Sequence, residues 1–454
     1  MRLGPRLVVG GTHSGVGKTT VATGLMAAFR ARGRRVAPAK IGPDFIDPGY
    51  HALACGRPPR NLDPWLCGPE LMPSLAVRAA QGAELLIVEG LMGLFDGAAD
   101  GTPSSTADVA RLLDAPVLLV VDCSAQAGSV AAQVHGFATF DPRLRVAGVV
   151  LNRLASAGHE QMVRSALDSM ARPVPVVGAL RHDERLAWRD RHLGLVPVAE
   201  RPAEVAVALD VLAESVRAGC DLEAIEAIAQ SAPGQDAPAL PMPERVGRAR
   251  VAIAGGRAFT FAYPDNAESL VAAGAEIVPF DPLVDERLPA GTDAIVVGGG
   301  FPEVMAEQLS ANRPLLEDVR RGVAAGMAVW AECGGFLWLC RSLDGQPMAG
   351  VLPADGLMTD RLSLGYRTAA CRVASPLGPA GTRLRGHEFH YSRIEPSGDA
   401  LDVRGLHGGG RGGYATPTLL ASYVHVHLAG QAHLAEAFVR SAGSRLPENA
   451  PPAR

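Results

Sequence analysis

The chain has 454 residues, 48% of them hydrophobic and 20% charged, with a formal net charge of −4. That length suggests two or three domains with ample core, and the composition is that of a soluble globular enzyme. The charge gives no electrostatic case for nucleic acid as main partner, no apolar run approaches the roughly 20 residues that cross a bilayer, and seven cysteines without a CxxC pair or a disulfide-like framework fit a reducing cytoplasm.

In chain order, the segments 6–11, 35–42, 84–90, 116–122, 146–152 and 174–180 are short and nearly continuously apolar, as strands buried on both faces are. Segments 17–32, 72–81, 106–113 and 126–137 carry helical spacing. This alternation predicts a parallel sheet covered by helices. Residues 231–248, rich in Pro, Ala and charge and without a period, read as an interdomain linker. The α/β rhythm then restarts at 250–256, 275–281, 293–300 and 327–333. "YRTAACRV", "RLRGHEFHY" and "LLASYVHVH" read as antiparallel or mixed strands, and the tail "SRLPENAPPAR" as loose. The expected architecture is α/β with two doubly wound domains, 1–230 and 249–440, joined by 231–248 and followed by a flexible tail, 441–454.

"VVGGTHSGVGKTT" is the strongest local signal. Gly15, Gly17, Lys18 and Thr19 follow a strand and open a helix, the context of a phosphate loop. The glycines let backbone N–H groups face phosphates, Lys18 reaches their β and γ oxygens, and the Thr19 hydroxyl suits Mg²⁺. Thr12 stands where the strict pattern has Gly. Glu89 ends the apolar strand "LLIVE", where a metal-coordinating carboxylate belongs. "KIGPDFIDPGYH" adds Asp44 and Asp47 after the second strand, at the crevice end of an open α/β sheet. Asp47 and Asp96 read equally as turn residues, and Asn152, closing "VAGVVLN", either as an amide for the adenine edge or as a turn residue.

The second half raises the question of Cys333 in "VWAECGGFLWLC". A lone cysteine is more often a buried inert thiol. Here it lies between a strand and a helix-like segment, with Glu332 before it and Gly334-Gly335 after it, as in a nucleophile elbow. "VVGGGFPE" sets Gly299 and Gly300 at a strand end, where N–H groups can hold an oxyanion. "ASYVHVHLAG" supplies His425 and His427 as activating bases.

With these residues assembled, the second half resembles the class I, triad-type glutamine amidotransferases in their cobyrinate-synthase branch. The first half resembles the dethiobiotin-synthetase-like branch of P-loop proteins, which tolerates Thr at the position of Thr12. The joined pair is similar to the cobyrinic and hydrogenobyrinic acid a,c-diamide synthases, on "GTHSGVGKTT", "KIGPDFIDPGYH", "VEGLMGLFDG", "GVVLNR", "RHLGLVP", "GGGFPE", "AECGGF", "LGYR", "RGHEFHYS" and "SYVHVHLAG". The resemblance implies Cys333 as glutaminase nucleophile and His425 as base. His427 stands where other triad glutaminases carry the orienting acid, so the orienting group is left open. It implies ATP held by Thr12, Gly15, Gly17, Lys18, Thr19, Thr20 and Asn152, Mg²⁺ held by Thr19, Asp44 and Glu89, and L-glutamine as nitrogen donor. The acceptor is a corrinoid polycarboxylate, with Asp47, Asp96, Arg191 and His192 as candidate contacts; a homodimer is left open. The alternatives are sirohydrochlorin as acceptor, a cobyric acid synthase, or a scaffold ATPase with an inactive glutaminase domain.

Overall fold

The computed structural model describes residues 1–183, 190–191, 194–195, 198, 201–406 and 408–444. The chain divides into two compact units, Met1–Leu240 and Pro241–Arg454.

The first unit is built on a seven-stranded, all-parallel sheet. Its order is Arg60–Leu62, Val36–Ile41, Leu85–Glu89, Arg6–Gly11, Val117–Asp122, Val146–Leu154 and Val176–Arg181. The apolar runs coincide with these strands because both faces are covered: Leu7, Val8, Val9, Leu86, Ile87 and Val88 are fully buried. The helix Lys18–Ala31 buries Val21, Leu25 and Phe29, spaced by four along one face, together with Ala22 and Met26. Arg6–Gly11 lies between Leu85–Glu89 and Val117–Asp122. The carboxyl ends of these neighbouring strands therefore deliver the phosphate loop and Glu89 to one edge.

The segment expected as a linker is partly built into this unit. Gln235–Asp236 pairs antiparallel with Arg2–Leu3, the Ala237 N–H donates to the Met1 carbonyl (2.8 Å), and the buried Arg6 guanidinium donates to the Pro233 carbonyl (2.8 Å). A two-residue pairing leaves no period to read.

The second unit carries two sheets. In the first, Ala275–Phe280, Ala249–Ala254, Ala294–Val297, Ala328–Glu332 and Leu419–Ser422 are parallel, and Tyr414–Thr416 is antiparallel at the edge. Apolar clusters cover both faces: Ile295, Val329, Leu315 and Trp338 on one, Val251, Leu270, Trp330 and Phe438 on the other. Each such side chain contributes on the order of 1.5–3 kcal/mol by leaving water. The second, mixed sheet centres on two long antiparallel strands, Asp355–Cys371 and Arg383–Glu395, with His425–Val426 beside the latter. The last helix, Ala432–Gly443, runs into the segment read as a loose tail; residues 445–454 lie outside the described residues. Among the described residues, no helix is long and apolar enough to cross a membrane.

Candidate active site

In the first unit the phosphate loop turns on Gly15 (φ 81°) and Gly17 (φ 97°), left-handed conformations that favour glycine. Gly17 also leaves room for Asn152, since a Cβ there would stand 2.2 Å from Nδ2 of that residue. The Asn152 amide donates to the Val16 carbonyl (2.9 Å). Asn152 thus braces the loop from beneath with one of its amide N–H groups. Lys18 opens the helix and is buried, its Nζ donating to the His13 carbonyl (3.2 Å). Burial, then the charge of Lys40, lower its pKa to about 8. Thr12 Oγ1 pairs with His13 Nδ1 (3.0 Å), and Thr20 lies in the first turn of the helix.

Thr19 donates to Glu89 Oε1 (2.7 Å) and reaches Asp47 Oδ2 (3.2 Å). Between these two acids sits a residue that the sequence reading passed over. Lys40 Nζ donates to Asp47 Oδ2 (2.7 Å), Glu89 Oε1 (2.8 Å) and the Gly90 carbonyl (3.1 Å). The signal was available, since Lys40 is the one charge in the buried strand "VAPAKI". His51 Nε2 holds the other Glu89 oxygen at 2.6 Å, and both groups are fully buried. Burial pushes the Glu89 carboxyl up, but the Lys40 charge and the His51 hydrogen bond outweigh it and hold it below the carboxylate range. Burial and the neighbouring Asp44 instead push Asp47 well up, despite Lys40.

Asp44 is engaged in a turn through one oxygen, while its Oδ2 lies 3.8 Å from Lys40 Nζ. Its Oδ1 accepts the N–H groups of Ile46 (2.8 Å) and Asp47 (3.1 Å), so it shapes the turn into the helix Asp47–Cys55; Asp47 takes its place beside Thr19. Asp96 likewise closes a turn, accepting from the Gly93 N–H (2.8 Å), although its charge reaches Lys18. Among the described residues no group of three His, Cys, Asp or Glu side chains stands ready to cage a metal. The oxygen donors Thr19, Asp47 and Glu89 still fit Mg²⁺, which keeps several ligands from water and phosphate. Arg191 belongs to the short strand Asp190–Arg191; His192 lies outside the described residues.

In the second unit the strand Ala328–Glu332 ends at Cys333, whose backbone (φ 49°, ψ −101°) is strained for a non-glycine residue. Such a conformation costs on the order of 1–3 kcal/mol and persists only when its surroundings impose it. Here the Cys333 N–H is fastened to the Ser422 carbonyl (2.8 Å) and the helix Gly334–Leu339 begins at once. The two glycines are required by close packing. A Cβ on Gly335 would lie 2.2 Å from the Val297 carbonyl, and one on Gly334 would lie 3.0 Å from the Gly300 nitrogen.

His425 is coupled electrostatically to Cys333 and to Glu332. Its Nδ1 stands 3.4 Å from Glu332 Oε2, while Glu332 Oε1 accepts the Val426 N–H (2.9 Å). Burial disfavours the imidazolium, but the bond and charge of Cys333, then those of Glu332, override it and raise His425 to about 10. The carboxylate that faces His425 is therefore that of Glu332, the residue before Cys333. A carboxylate ending an apolar strand was its signal, the same signal that marks Glu89. His427 plays another part: Nδ1 accepts the Ala429 N–H (3.3 Å), and Nε2 faces the buried Asp265 at 3.9 Å. It braces the turn after His425.

Gly299 also departs from its expected part. Its N–H donates to the Phe261 carbonyl (3.2 Å) and so is spent in a strand bridge. Its lack of a side chain is what matters, because a Cβ would stand 2.4 Å from His425 Cε1. Gly300 (φ 157°) is held against Ala258, whose carbonyl a Cβ would meet at 2.1 Å.

Two family models match the chain. Residues 7–195 match the CobQ/CobB/MinD/ParA nucleotide binding domain, and residues 250–433 match the CobB/CobQ-like glutamine amidotransferase domain. The chain is 50% identical to the hydrogenobyrinate a,c-diamide synthase of Streptomyces coelicolor, over 96% of this chain and 97% of that one. It is 47% identical to the enzyme of the same name from Thermobifida fusca, over 98% of both chains. It is 42% identical to the cobyrinate a,c-diamide synthase of Syntrophotalea carbinolica, over 96% of this chain and 98% of that one. With its nucleotide-binding and glutaminase-type sites on successive units, the chain belongs to the hydrogenobyrinate and cobyrinate a,c-diamide synthase family.

Proposed function

We propose that the protein amidates the a and c side-chain carboxylates of hydrogenobyrinic acid, using ATP and glutamine. The observation that carries the chemistry is the Cys333–His425–Glu332 arrangement, on a chain that also presents a phosphate loop. The choice of acceptor is supported by similarity. The relatives named for hydrogenobyrinate are 50% and 47% identical, against 42% for the one named for cobyrinate.

In the second unit, the Cys333 thiolate attacks the carboxamide carbon of glutamine. The N–H groups of Gly300 and Gly334 hold the oxyanion, since that of Gly335 is spent on the Gly298 carbonyl (3.0 Å). His425, protonated opposite the thiolate, gives its proton to the departing nitrogen and ammonia leaves. It then takes a proton from the water that releases glutamate from the thioester. Glu332 keeps the Nδ1 side of the ring bound, so that the other nitrogen serves Cys333.

In the first unit, a substrate carboxylate attacks the γ-phosphorus of ATP, because oxide is too poor a leaving group for direct amidation. Ammonia then displaces phosphate from the acyl phosphate. Lys18 and the loop N–H groups neutralise the transferring phosphoryl group, and phosphate charge favours the protonated form of Lys18. Thr19, with Glu89 and Asp47, would hold Mg²⁺, which supplies further neutralisation when bound. Lys40 keeps Glu89 ionised. All seven cysteines are free, which supports a reducing compartment such as the cytoplasm.

The test is mass-spectrometric product analysis with Mg-ATP, glutamine and, separately, hydrogenobyrinic acid, cobyrinic acid and sirohydrochlorin. A diamide from hydrogenobyrinic acid in preference to the others is expected. A diamide from sirohydrochlorin alone, or ATP turnover indifferent to glutamine, would overturn the reading.

Glu332→Gln tests the orienting acid. The raised pKa means that His425 stays protonated from acid up to about pH 10 and loses its proton above. Without the Glu332 charge, burial is opposed by Cys333 alone. The alkaline limb of glutamine-dependent kcat/KM should move down from near 10, and kcat should fall by roughly 10²–10⁴-fold. An unmoved limb would remove Glu332 from the mechanism.

A further inference from the structure

A third histidine lies against the base. His387, in the strand Arg383–Glu395, is the register partner of His425 in the neighbouring antiparallel strand. Their rings stack with centroids 4.9 Å apart and planes 24° from parallel, and both are 1% exposed. Tyr263 OH lies 3.5 Å from His387 Nδ1, and the Tyr263 ring packs on His427 at 4.4 Å. His387 is thus gripped from both sides, by His425 from the strand His425–Val426 and by Tyr263 from ahead of the helix Pro264–Ala273. His387 belongs to "RGHEFHYS", a motif that the two half-reactions leave without a role.

We propose that His387 is a positioning residue of the glutaminase site: its ring, stacked face to face on His425, fixes the plane in which the base meets Cys333 and Glu332. The proposal rests on the reading of Cys333 and His425 as nucleophile and base. Glu332 holds His425 at one ring edge only and leaves rotation about the Cβ–Cγ bond limited mainly by packing. A parallel ring across the strand removes that freedom. Burial, then the charges of His425, His427 and Arg367, keep His387 well below the ordinary histidine range. It therefore stays neutral, and its electron-rich face stabilises the imidazolium of His425. The groups that bear on this pair are Cys333, Glu332 and His390 around His425, and His427, Tyr263 and Arg367 around His387, the last paired with Glu388 at 2.9 Å.

The experiment compares His387→Phe, which keeps an aromatic face, with His387→Gln, which keeps polarity and loses it. Each full-length variant is assayed with glutamine and, separately, with ammonia as nitrogen donor. His387→Gln is expected to lower glutamine-driven kcat by about 100-fold, the scale of a misplaced catalytic group. KM for glutamine and the ammonia-driven rate should stay within about twofold, since uniform binding is untouched. The alkaline limb of kcat/KM for glutamine should fall below its position near 10. His387→Phe should recover most of kcat and restore the limb. Equal loss in both variants, or no loss and no shift in His387→Gln, overturns the proposal. A native protein that amidates with ammonia but never with glutamine overturns the underlying assignment of the pair, and this inference with it.

Discussion

Cys333→Ala loses glutamine-driven amidation and keeps amidation driven by free ammonia. The expected loss with glutamine is about 10⁴-fold or more, the scale on which removal of a covalent nucleophile acts. The ammonia-driven rate should remain within about twofold, because an external donor bypasses the thioester and all else persists. The substitution also exchanges a strained cysteine for a smaller residue at φ 49°. Thermal unfolding should therefore be measured beside the assay, to separate a chemical loss from a folding loss. Loss of both activities in a folded variant would mean that Cys333 serves the ligase step as well. Retention of glutamine-driven activity would remove it as nucleophile.

Lys40→Met should have the largest effect on stability. The Lys40 ammonium is buried between Glu89, fully buried, and Asp47, nearly so. Removing one partner of a buried pair leaves uncompensated charge and costs about 3–5 kcal/mol, measurable by urea unfolding. The pH dependence has a definite sign. The carboxyl of Glu89 is depressed in the folded state, so its stabilising contribution is present above the unfolded value of about 4.3 and is lost as pH falls through the folded value. The gap between Lys40→Met and the native protein should therefore narrow below about pH 5, as protonated acids cease to need the ammonium. Mg²⁺ without nucleotide should raise the Tm of the variant more than that of the native protein, because it restores a cation among Thr19, Asp47 and Glu89. An equal response in both proteins would place the metal elsewhere.

The sheet of the first unit was legible because parallel strands buried on both faces leave unbroken apolar runs; the run 84–90 differs from its strand, Leu85–Glu89, only at the ends. The phosphate loop was legible because its chemistry is local: five residues on one turn suffice. What stayed hidden is what distant segments make together. Lys40 is a single charge in a strand, and its meaning comes from Glu89 across the register. Glu332 was seen as part of an elbow, but its partnership with His425 is made by strand pairing. The bonds that Asn152 and Gly299 already make to Val16 and Phe261 were not legible, since a sequence does not show which N–H or amide has a partner within the fold. The long hairpin Asp355–Cys371 with Arg383–Glu395 was read only in part, because its half-exposed residues give neither a continuous run nor a clean alternation.

Glu332 and Cys333 are consecutive residues, whereas His425 arrives on a much later strand. Ala328–Glu332 must pair with Leu419–Ser422, and Gly386-His387 with His425-Val426, before the three groups meet. Pairings so far apart in sequence close slowly. A newly made or partly unfolded chain thus carries Cys333 without His425 beside it, and glutamine turnover begins only when the last strands are seated. Ammonia production is in this way a privilege of completed molecules, and the onset of glutaminase activity during refolding is a clock for the closure of the second unit.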